Sequence, residues 1–353
     1  MRIIHTADLH LDSSLSAHLS TTKAEQRKKE LLNAFERLTI FAKANDVKAV
    51  IIAGDMFDKK HIPLKTRKKV FDYINDCKEI DFLYIQGNHD ECDIDGTDKP
   101  ENLKLFTNNW TFYSYGDVNI YGINFSKNTN KYLYDTLLVD KDKVNIVALH
   151  GQIANHNADD VINLNRLKEK GIDYLALGHI HQYSSEALDD RGIYCYSGCL
   201  ESRGFDEIGD KGFVLIDVND KKLTHNFIKN SYRNMYQFDV DITDVDSWPK
   251  LKNKVSDLLK EVTSNDMVKL VLKGHFKVDQ QKYVFELENY LSSNYYFGKV
   301  KDESKLFIDL KDYENEKSLK GEFIKEVKNT ILDETLQSDV ILLGIKALTE
   351  EDL

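Results

Sequence analysis

The feature that most constrains the fold is a series of short apolar runs separated by longer segments with helical periodicity. Five such runs are found in the first half of the chain: Ile3–Ala7, Ala49–Ala53, Phe82–Ile85, Val144–Leu149 and Tyr174–Leu177. Strands that are covered on both faces give continuous apolar runs, because neither face meets water. The alternation of such runs with helices therefore predicts an α/β fold.

Local patterns extend this prediction. Thr22-Lys23-Ala24-Glu25 matches a capping box that opens a helix, and Gly116-Asp117 lies between alternating apolar residues that predict a hairpin within Trp110–Phe125. The buried stripe expected on the helix consists of Leu31, Phe35, Leu38 and Ala42. Further antiparallel strands are expected at Ile193–Tyr196, Phe213–Val218 and Leu223–Ile228. Together these elements predict two packed sheets with helices outside, an α/β/β/α sandwich.

The pattern resets near Ser231–Asn234, and a small α/β domain is expected to follow. Its predicted strands are Phe238–Ile242, Val268–Leu272 and Leu306–Leu310, and its predicted helices are Leu251–Leu259 and Tyr283–Leu291. The tail is predicted to be helical, with Phe323, Val327 and Ile331 on one stripe. We therefore expect a first domain over residues 1–232, a small α/β domain over 233–311 and a C-terminal helical tail over 312–353.

Charge and cysteine content bear on the class of protein. The chain has 353 residues, which favours two domains, and a formal net charge of -11, which is unusual for a protein that binds nucleic acid. Basic residues nevertheless cluster, without an intervening acid, at Lys59, Lys60, Lys65, Arg67, Lys68 and Lys69. This run is either a solvated helix face or a phosphate contact, and its place beside a candidate metal motif favours phosphate.

The compartment can also be predicted. The four cysteines form no C-x-x-C pair, so we expect reduced thiols. Charge appears too early at the N-terminus for a signal peptide, and no apolar run is long enough to span a membrane. The expected location is cytoplasmic.

Polar motifs stand where the predicted strands stop. They are Asp8-Leu9-His10, Gly54-Asp55-Met56-Phe57-Asp58, Gly87-Asn88-His89-Asp90, His150-Gly151 and Gly178-His179-Ile180-His181. Because ligands bind outside the carboxyl ends of strands in α/β sheets, these residues should converge on one cleft. Each motif is weak alone, but five in order at strand ends favour a functional site strongly over a structural interpretation.

The residue types suit divalent cations. Asp, Asn and His supply oxygen and imidazole ligands without a thiolate, which favours manganese, iron or zinc. A pair of metal ions about 3.5–4 Å apart can generate hydroxide and stabilise both the attacking and the leaving oxygen of a phosphodiester. The motifs therefore predict a binuclear metal site that hydrolyses phosphoesters.

The order D-x-H, G-D-x-x-D, G-N-H-D, H-G, G-H-x-H resembles that of the calcineurin-like metallophosphoesterase superfamily. Within it, the opening His5–Ser13, the segment Leu167–His181 and the closing Tyr196-Ser197-Gly198, Arg203-Gly204 and Gly212-Phe213 are similar to SbcD-type DNA repair exonucleases, especially the YhaO-like branch. The likeness is specific to about residue 230 and only architectural beyond it. It implies the metallophosphoesterase sandwich followed by a cap domain that helps to shape access of DNA.

The resemblance also implies roles for residues at matching positions. Asp8, His10 and His181 would hold one metal ion, and a second ion would be held by Asn88, His150 and His179. Asp55 would bridge both ions. His89 would act on the scissile phosphate and leaving oxygen, Asp90 would orient His89, and Asp58 would fix the direction of a ligand.

Some positions stay open in the sequence. His150 is preferred to His156 as a ligand because it directly follows a strand. His61, Lys65, Arg67 and Arg203 are candidate substrate contacts; exposure is the alternative for His61, and pairing with Glu201 or Asp206 is the alternative for Arg203. His5 lies inside the first strand and is expected to be a core residue.

The function implied by the resemblance is that of a manganese-dependent DNA exonuclease and endonuclease, the nuclease subunit of an SbcC–SbcD-like repair complex. The expected cofactors are two divalent ions, Mn²⁺ with Fe or Zn as alternatives. The expected partners are DNA, a coiled-coil ABC-type ATPase and a second copy of the chain, with no membrane. The tail helices are expected either to dock the ATPase or to pack on the small domain. The alternative is a small-substrate phosphatase or phosphodiesterase of the same superfamily, because the same metal centre would serve both.

Overall fold

The computed structural model of the chain describes residues 1–13, 15, 19–58, 62–87, 98–124, 133–154, 161–277, 280–307 and 317–348. The chain divides into two compact units, Met1–Asn234 and Met235–Leu353. Among the described helices, none combines the length and the apolar character needed to cross a membrane.

The first unit contains two six-stranded sheets. Strands are numbered in chain order, and the first sheet consists of β1 (Arg2–Thr6), β2 (Val47–Ala53), β3 (Asp81–Ile85), β4 (Leu103–Leu105), β13 (Gly212–Asn219) and β14 (Lys222–Lys229). Their order is β14-β13-β1-β2-β3-β4. Strands β1 to β4 run parallel, whereas β13 and β14 form an antiparallel hairpin beside β1.

The second sheet has the same number of strands. It consists of β5 (Thr111–Tyr115), β6 (Val118–Gly122), β7 (Val144–His150), β10 (Tyr174–Gly178), β11 (Ser184–Ala187) and β12 (Ile193–Tyr196). Their order is β11-β12-β10-β7-β6-β5, with a parallel centre and an antiparallel strand at each edge. A short parallel pair, β8 (Gln152–Ile153) and β9 (Val161–Ile162), lies beyond β7. The predicted strands and hairpin are thus confirmed, and most observed strands extend one or two residues further.

Three apolar layers hold this unit together. Side chains of both sheets, such as Ile3, Ile51 and Ile146, form the layer between them. Helices α1 (Thr21–Ala44) and α2 (Leu64–Asn75) cover the outer face of the first sheet. The outer face of the second sheet is covered, in the part of the chain that the structure describes, by segments around Leu133–Leu137 and by a 3₁₀ turn at Leu164–Arg166. The mixed α/β class with two packed sheets is confirmed.

The start of α1 differs from the predicted capping box at Thr22. The N-cap is Ser20, whose hydroxyl accepts a hydrogen bond from the backbone N–H of Lys23 at 3.4 Å. Thr21 and Thr22 lie within the first helical turn instead. The pattern misplaced the cap because three hydroxyl residues stand in a row, and any of them can cap a helix.

The second unit is a smaller α/β body. Its elements are β15 (Met235–Asp241), α3 (Trp248–Leu258), β16 (Met267–Lys273), β17 (His275–Phe276), α4 (Val284–Asn294), β18 (Phe297–Asp302), β19 (Lys305–Leu306), α5 (Leu319–Lys328) and α6 (Glu334–Leu348). Strands β15, β16 and β18 form a parallel sheet in that order. The third strand of this sheet, β18, was not predicted, because only two of its six residues, Phe297 and Val300, are clearly apolar.

The tail helices pack on each other through Ile324, Val327, Ile341 and Ile345. Ile331 was predicted to continue the stripe of Phe323 and Val327, but α5 ends at Lys328 and the side chain of Ile331 is fully exposed. That part of the prediction was wrong, because the helix ends before the spacing can bring Ile331 to the buried side.

His5 is the core histidine that the sequence predicts. It is fully buried in β1, its Nδ1 lies 2.9 Å from the hydroxyl of Tyr174 in β10, and the two residues join the two sheets. Burial lowers the pKa of His5 to about 3, because a charged imidazole is poorly solvated in this position.

We expect this histidine to weaken the fold in acid. Between pH 6.5, the pKa of the unfolded chain, and about pH 3, the pKa in the folded chain, His5 is protonated in the unfolded chain but neutral in the folded one. The free energy of unfolding therefore falls as the pH drops through this range. Relative to His5→Leu, the wild type should lose about 2 kcal/mol more unfolding free energy between about pH 7 and pH 5. Urea denaturation at the two pH values measures this difference, and equal losses in both proteins would contradict it.

A second expectation concerns the place where the two sheets meet. A Cβ atom on Gly178, the last residue of β10, would lie 1.9 Å from the carbonyl oxygen of Ala53 in β2 and 2.8 Å from Nδ1 of His150. Gly178→Ala should therefore destabilise the protein by about 1–3 kcal/mol, because backbone must move. Gly204→Ala is the control, since its Cβ would meet only the exposed carboxylate of Asp206 and should change stability by less than about 0.5 kcal/mol. Equal effects on the denaturation midpoint would rule out the steric explanation.

Candidate metal centre

The loops that follow β1, β2, β7 and β10 bring the predicted ligands together at one edge of the sandwich. The loops after β1 and β2 run side by side: Asp8 N–H donates to the Gly54 carbonyl at 3.1 Å, and His10 N–H donates to the Asp55 carbonyl at 2.9 Å. Asp8, His10 and Asp55 all have left-handed backbone, with φ of 52°, 43° and 51°. This conformation is costly for residues with a side chain, and such strain clusters at functional sites.

One group of candidate ligands consists of Asp8, His10 and His181. One donor atom of each lies within 4.8 Å of the others. Nε2 of His10 and Nε2 of His181 are 3.2 Å apart, although β1 and β10, after which they follow, belong to different sheets. The sequence predicted this group as the ligands of one ion, and the structure brings its three members together.

A second group consists of Asp8, Asp55 and His150, with donor atoms again within 4.8 Å of one another. Oδ2 of Asp55 lies 3.4 Å from Nε2 of His150 and 3.7 Å from Nε2 of His10. The carboxylate of Asp55 therefore lies between the histidines of the two groups. Asp8 is a member of both groups, which the sequence did not predict.

The second nitrogen of each of these histidines has its own partner. Nδ1 of His10 lies 3.1 Å from Asp58, Nδ1 of His181 lies 2.7 Å from Glu207, and Nδ1 of His150 lies 2.9 Å from the carbonyl oxygen of Ala53. In a neutral ring, these acceptor oxygens favour the proton on Nδ1, although Nη2 of Arg203 also lies 3.2 Å from Nδ1 of His181. The lone pair of Nε2 would then face the cluster whenever a cation replaces the proton shared with Asp55. Histidines that bind metals are oriented in this way.

Burial and charge indicate that this cluster suits cations. The side chains of Asp8 and Asp55 are at most 2% exposed, and burial raises the pKa of Asp8, with the charge of Asp55 adding to the effect. Burial alone would lower the pKa of His150, but the hydrogen bond and charge of Asp55, with the charge of Asp8, raise it to about 9. Two adjacent buried carboxylates are unfavourable unless positive charge compensates them. The oxygen and imidazole donors fit a divalent cation of intermediate softness.

Of the two remaining predicted ligands, His179 lies within the described residues and Asn88 does not. The backbone N–H of His179 donates to both carboxylate oxygens of Asp8 at 2.9 and 3.1 Å, and its ring lies edge-on to that of His150 at 5.5 Å. His179 is therefore beside the cluster, and its role as a ligand stays a prediction. The predicted residues outside the described residues are Asn88, His89, Asp90 and His61.

Arg203, predicted as a substrate contact, has other partners than those the sequence suggested. It does not pair with Glu201 or Asp206; its guanidinium lies 2.9 Å from Glu207 and 3.6 Å from Asp58. Its side chain is 21% exposed, so little of it is available to substrate.

Sequence reasoning missed Glu207. Its carboxylate contacts a histidine that lies 26 residues away, and the only local signal was the i,i+4 spacing from Arg203. Burial by itself would raise the pKa of Glu207, but the hydrogen bond from His181 and the charge of Arg203 lower it to about 2. Glu207 is therefore a carboxylate at neutral pH.

The described part of the basic run lies on α2. Arg67 pairs with Asp98, and Lys68 lies 3.5 Å from Asp72. Lys65 is exposed in the first turn of the helix, which follows the loop that carries Asp55. Lys59 and Lys60 lie outside the described residues. Two of the run's charges are thus partly neutralised.

Known proteins resemble this chain over most of its length. A metallophosphoesterase of Bacillus subtilis, YhaO, whose name describes it as uncharacterized, is 27% identical over 78% of this chain and 72% of its own. The DNA double-strand break repair protein Mre11 of Sulfolobus acidocaldarius is 26% identical over 75% of this chain and 72% of its own. Among solved structures, a dimetal phosphatase from Danio rerio is similar over 64% of this chain and 95% of its own, with 10% identity and a TM-score of 0.42.

A family model extends over the part of the chain in which every candidate ligand lies. The model of the calcineurin-like phosphoesterases matches residues 1–183, which is more than half of the chain. The matched segment includes the strand-end motifs from Asp8 to His181 and every member of the two donor groups. This chain therefore belongs to the calcineurin-like phosphoesterase family.

Proposed function

We propose that this protein is a metal-dependent nuclease that hydrolyses phosphodiester bonds in DNA. The observation that carries the proposal is the pair of buried donor groups that share Asp8 at the edge where both sheets end. The similarity to Mre11 proteins, whose name specifies repair of DNA double-strand breaks, supports DNA as the substrate. The site would be the binuclear centre expected of a phosphoesterase.

The proposed assignment follows both the motifs and the distances. Asp8, His10 and His181 would hold one divalent ion, with Asp55 between the two sites. His150, His179 and Asn88 would complete the other site. We propose Mn²⁺ as the metal, with Fe and Zn as alternatives, because the donors include no thiolate. Bound cations would supply Lewis acidity toward the phosphate and activate water as the nucleophile.

The protein's own side chains would prepare this site for chemistry. Asp58 accepts a hydrogen bond from Nδ1 of His10 and from the hydroxyl of Ser13 at 2.8 Å, and so holds that imidazole in one orientation. His89 would donate a proton toward the leaving oxygen, and Asp90 would orient His89; both roles rest on the motif alone.

The proposed cellular setting also comes from the relatives. We propose that the protein acts in the cytoplasm as the nuclease subunit of a DNA repair complex, with a coiled-coil ABC-type ATPase and a second copy of itself. The C-terminal helices α5 and α6 are the candidate docking segment. The small α/β unit would serve as a cap that shapes access of DNA.

A small-substrate phosphatase or phosphodiesterase is the second candidate. The observation that favours it is the net charge of -11, which opposes binding of a polyanion. The basic run on and before α2 favours DNA instead, because a long backbone reaches residues beside the metal site that a small ester does not.

The metal centre can be tested through Asp55. Asp55→Asn removes the charge that lies between the two histidine groups, so we expect loss of at least one of two bound Mn²⁺ ions and loss of activity on every phosphodiester together. Elemental analysis after dialysis and turnover of a chromogenic phosphodiester measure the two effects. Asp217→Asn, which alters a partly exposed ion pair with Arg2, is the control and should keep both. Wild-type metal content and turnover in Asp55→Asn would refute the ligand assignment.

The choice of substrate can be tested through the basic run. The test variant carries glutamine at Lys65, Arg67, Lys68 and Lys69. The control variant carries glutamine at four exposed lysines elsewhere in the first unit, which are Lys43, Lys48, Lys78 and Lys222. Both variants change the net charge equally, so a general charge effect should appear in both.

We expect only the test variant to bind duplex DNA more weakly and with a flatter salt dependence. Each phosphate contact that is lost should reduce the slope of log K against log salt by about 1. Turnover of a small chromogenic phosphodiester should stay near that of the wild type, because the metal ligands are intact. Equal changes in the two variants, or a loss confined to the small ester, would favour the phosphatase over the nuclease.

A further inference from the structure

Arg203 lies between the two carboxylates that orient the histidines of one donor group. Its Nε donates to Oε1 of Glu207 at 2.9 Å, and Nη2 lies 2.9 Å from the same oxygen and 3.2 Å from Nδ1 of His181. Its Nη1 lies 3.6 Å from Oδ1 of Asp58. Glu207 contacts Nδ1 of His181, and Asp58 contacts Nδ1 of His10. Because the Nε2 atoms of the two histidines are 3.2 Å apart, the five residues form a closed ring of contacts.

We propose that Arg203 and Glu207 are positioning residues of the metal centre, and that Arg203 couples the two histidine–carboxylate pairs so that both Nε2 atoms point at one cation. Neither residue would act as a ligand. This role differs from the substrate contact that the sequence suggested for Arg203, and it rests on the proposed metal centre.

The geometry explains why an arginine stands at this position. A planar guanidinium holds its three nitrogens at fixed angles, so Nε can donate to Glu207 while the terminal nitrogens face His181 and Asp58. A lysine ammonium would provide the charge without the fixed directions. The backbone N–H of Arg203 also donates to the second oxygen of Glu207 at 2.7 Å, so the carboxylate is held on both sides.

The loop that carries these residues is fixed to the body of the unit. The carbonyl oxygen of Ser202 accepts a hydrogen bond from Arg27 of α1 at 2.6 Å, and the Ser202 hydroxyl donates to the Glu207 carbonyl at 2.8 Å. The buried carboxylate of Glu201 accepts from the backbone N–H of Tyr232 at 2.7 Å and from Arg37 at 3.3 Å. Because these hydrogen bonds fix the loop, Glu207 can hold the ring of His181 in one orientation instead of moving with it.

The inference can be tested by measuring Mn²⁺ affinity without substrate. We expect Glu207→Gln and Arg203→Lys to weaken Mn²⁺ binding at the site of Asp8, His10 and His181 by about 10–100-fold in calorimetric titrations. A loss of this size is typical when a partner of a ligand histidine is removed. Asp173→Asn is the matched control: Asp173 is also a carboxylate held by an arginine, Arg191 at 2.9 Å, but it lies before β10, at the opposite end from His179. The control should bind Mn²⁺ like the wild type.

The coupling itself is tested by a double-mutant cycle. If Arg203 joins the two pairs, the combined loss in Asp58→Asn with Glu207→Gln should be smaller than the product of the single losses, because either change opens the ring. With Arg203→Lys in the background, the two losses should become independent. Independent losses in the wild-type background would overturn the coupling.

Other outcomes separate this inference from its alternatives. Thermal melts in EDTA show whether each variant folds; a lower melting temperature with unchanged Mn²⁺ affinity would make the residues merely structural and overturn the proposal. A raised KM for DNA in Arg203→Lys at saturating Mn²⁺, with unchanged affinity for the metal, would make Arg203 a substrate contact instead. If the wild type binds two Mn²⁺ and all variants bind them equally well, only this inference fails. If the wild type binds none, the proposed metal centre fails first and this inference with it.

Discussion

The structure depends on one electrostatic constraint, the burial of Asp8 and Asp55 beside each other at the edge where the two sheets end. Buried carboxylates repel each other and are poorly solvated, so they persist only where positive charge and hydrogen bonds compensate. The surrounding histidines provide nitrogen donors, and the backbone N–H of His179 provides two hydrogen bonds to Asp8. The site therefore holds buried negative charge that a divalent cation would balance.

The buried donors can meet only because the two sheets approach each other closely at this edge. A side chain on Gly178 would collide with the carbonyl of Ala53, and a side chain on Gly54 or Gly87 would collide with His150 or Asp55 respectively. Left-handed backbone at Asp8, His10 and Asp55 turns these residues into the cluster. Small residues and strained turns thus allow loops from different sheets to place their donors within a few ångströms of one another.

Charge in this chain is distributed so that neighbouring groups neutralise each other. Glu207 is matched by Arg203 and His181, and the buried Glu30 and Glu201 of the first unit are matched by Arg27, Arg37 and Arg233. On α2, Arg67 and Lys68 have acidic partners too. A net charge of -11 opposes a polyanion on average, but the local arrangement of charges decides what each surface binds.

Much of the fold followed from the sequence, because burial on both faces of a sheet imposes an apolar run and a strand must end where polar residues begin. That is why the runs before Asp8, Asp55, His150 and His179 were predicted, and why their convergence followed from the rule for carboxyl ends of strands. The pattern failed where local signals were weak or ambiguous: β18 has only two clearly apolar residues, and three hydroxyl residues compete to cap α1.

What the sequence by itself determined is the type and order of the chemical groups. Only the tertiary structure decided that Asp8 belongs to both donor groups and that Oδ2 of Asp55 lies between His10 and His150. It alone linked Glu207 to His181 and Arg203 to Asp58, across 26 and 145 residues. Periodicity reports which residues are buried, whereas contacts between distant loops depend on how two sheets pack, and that packing leaves no local pattern in the chain.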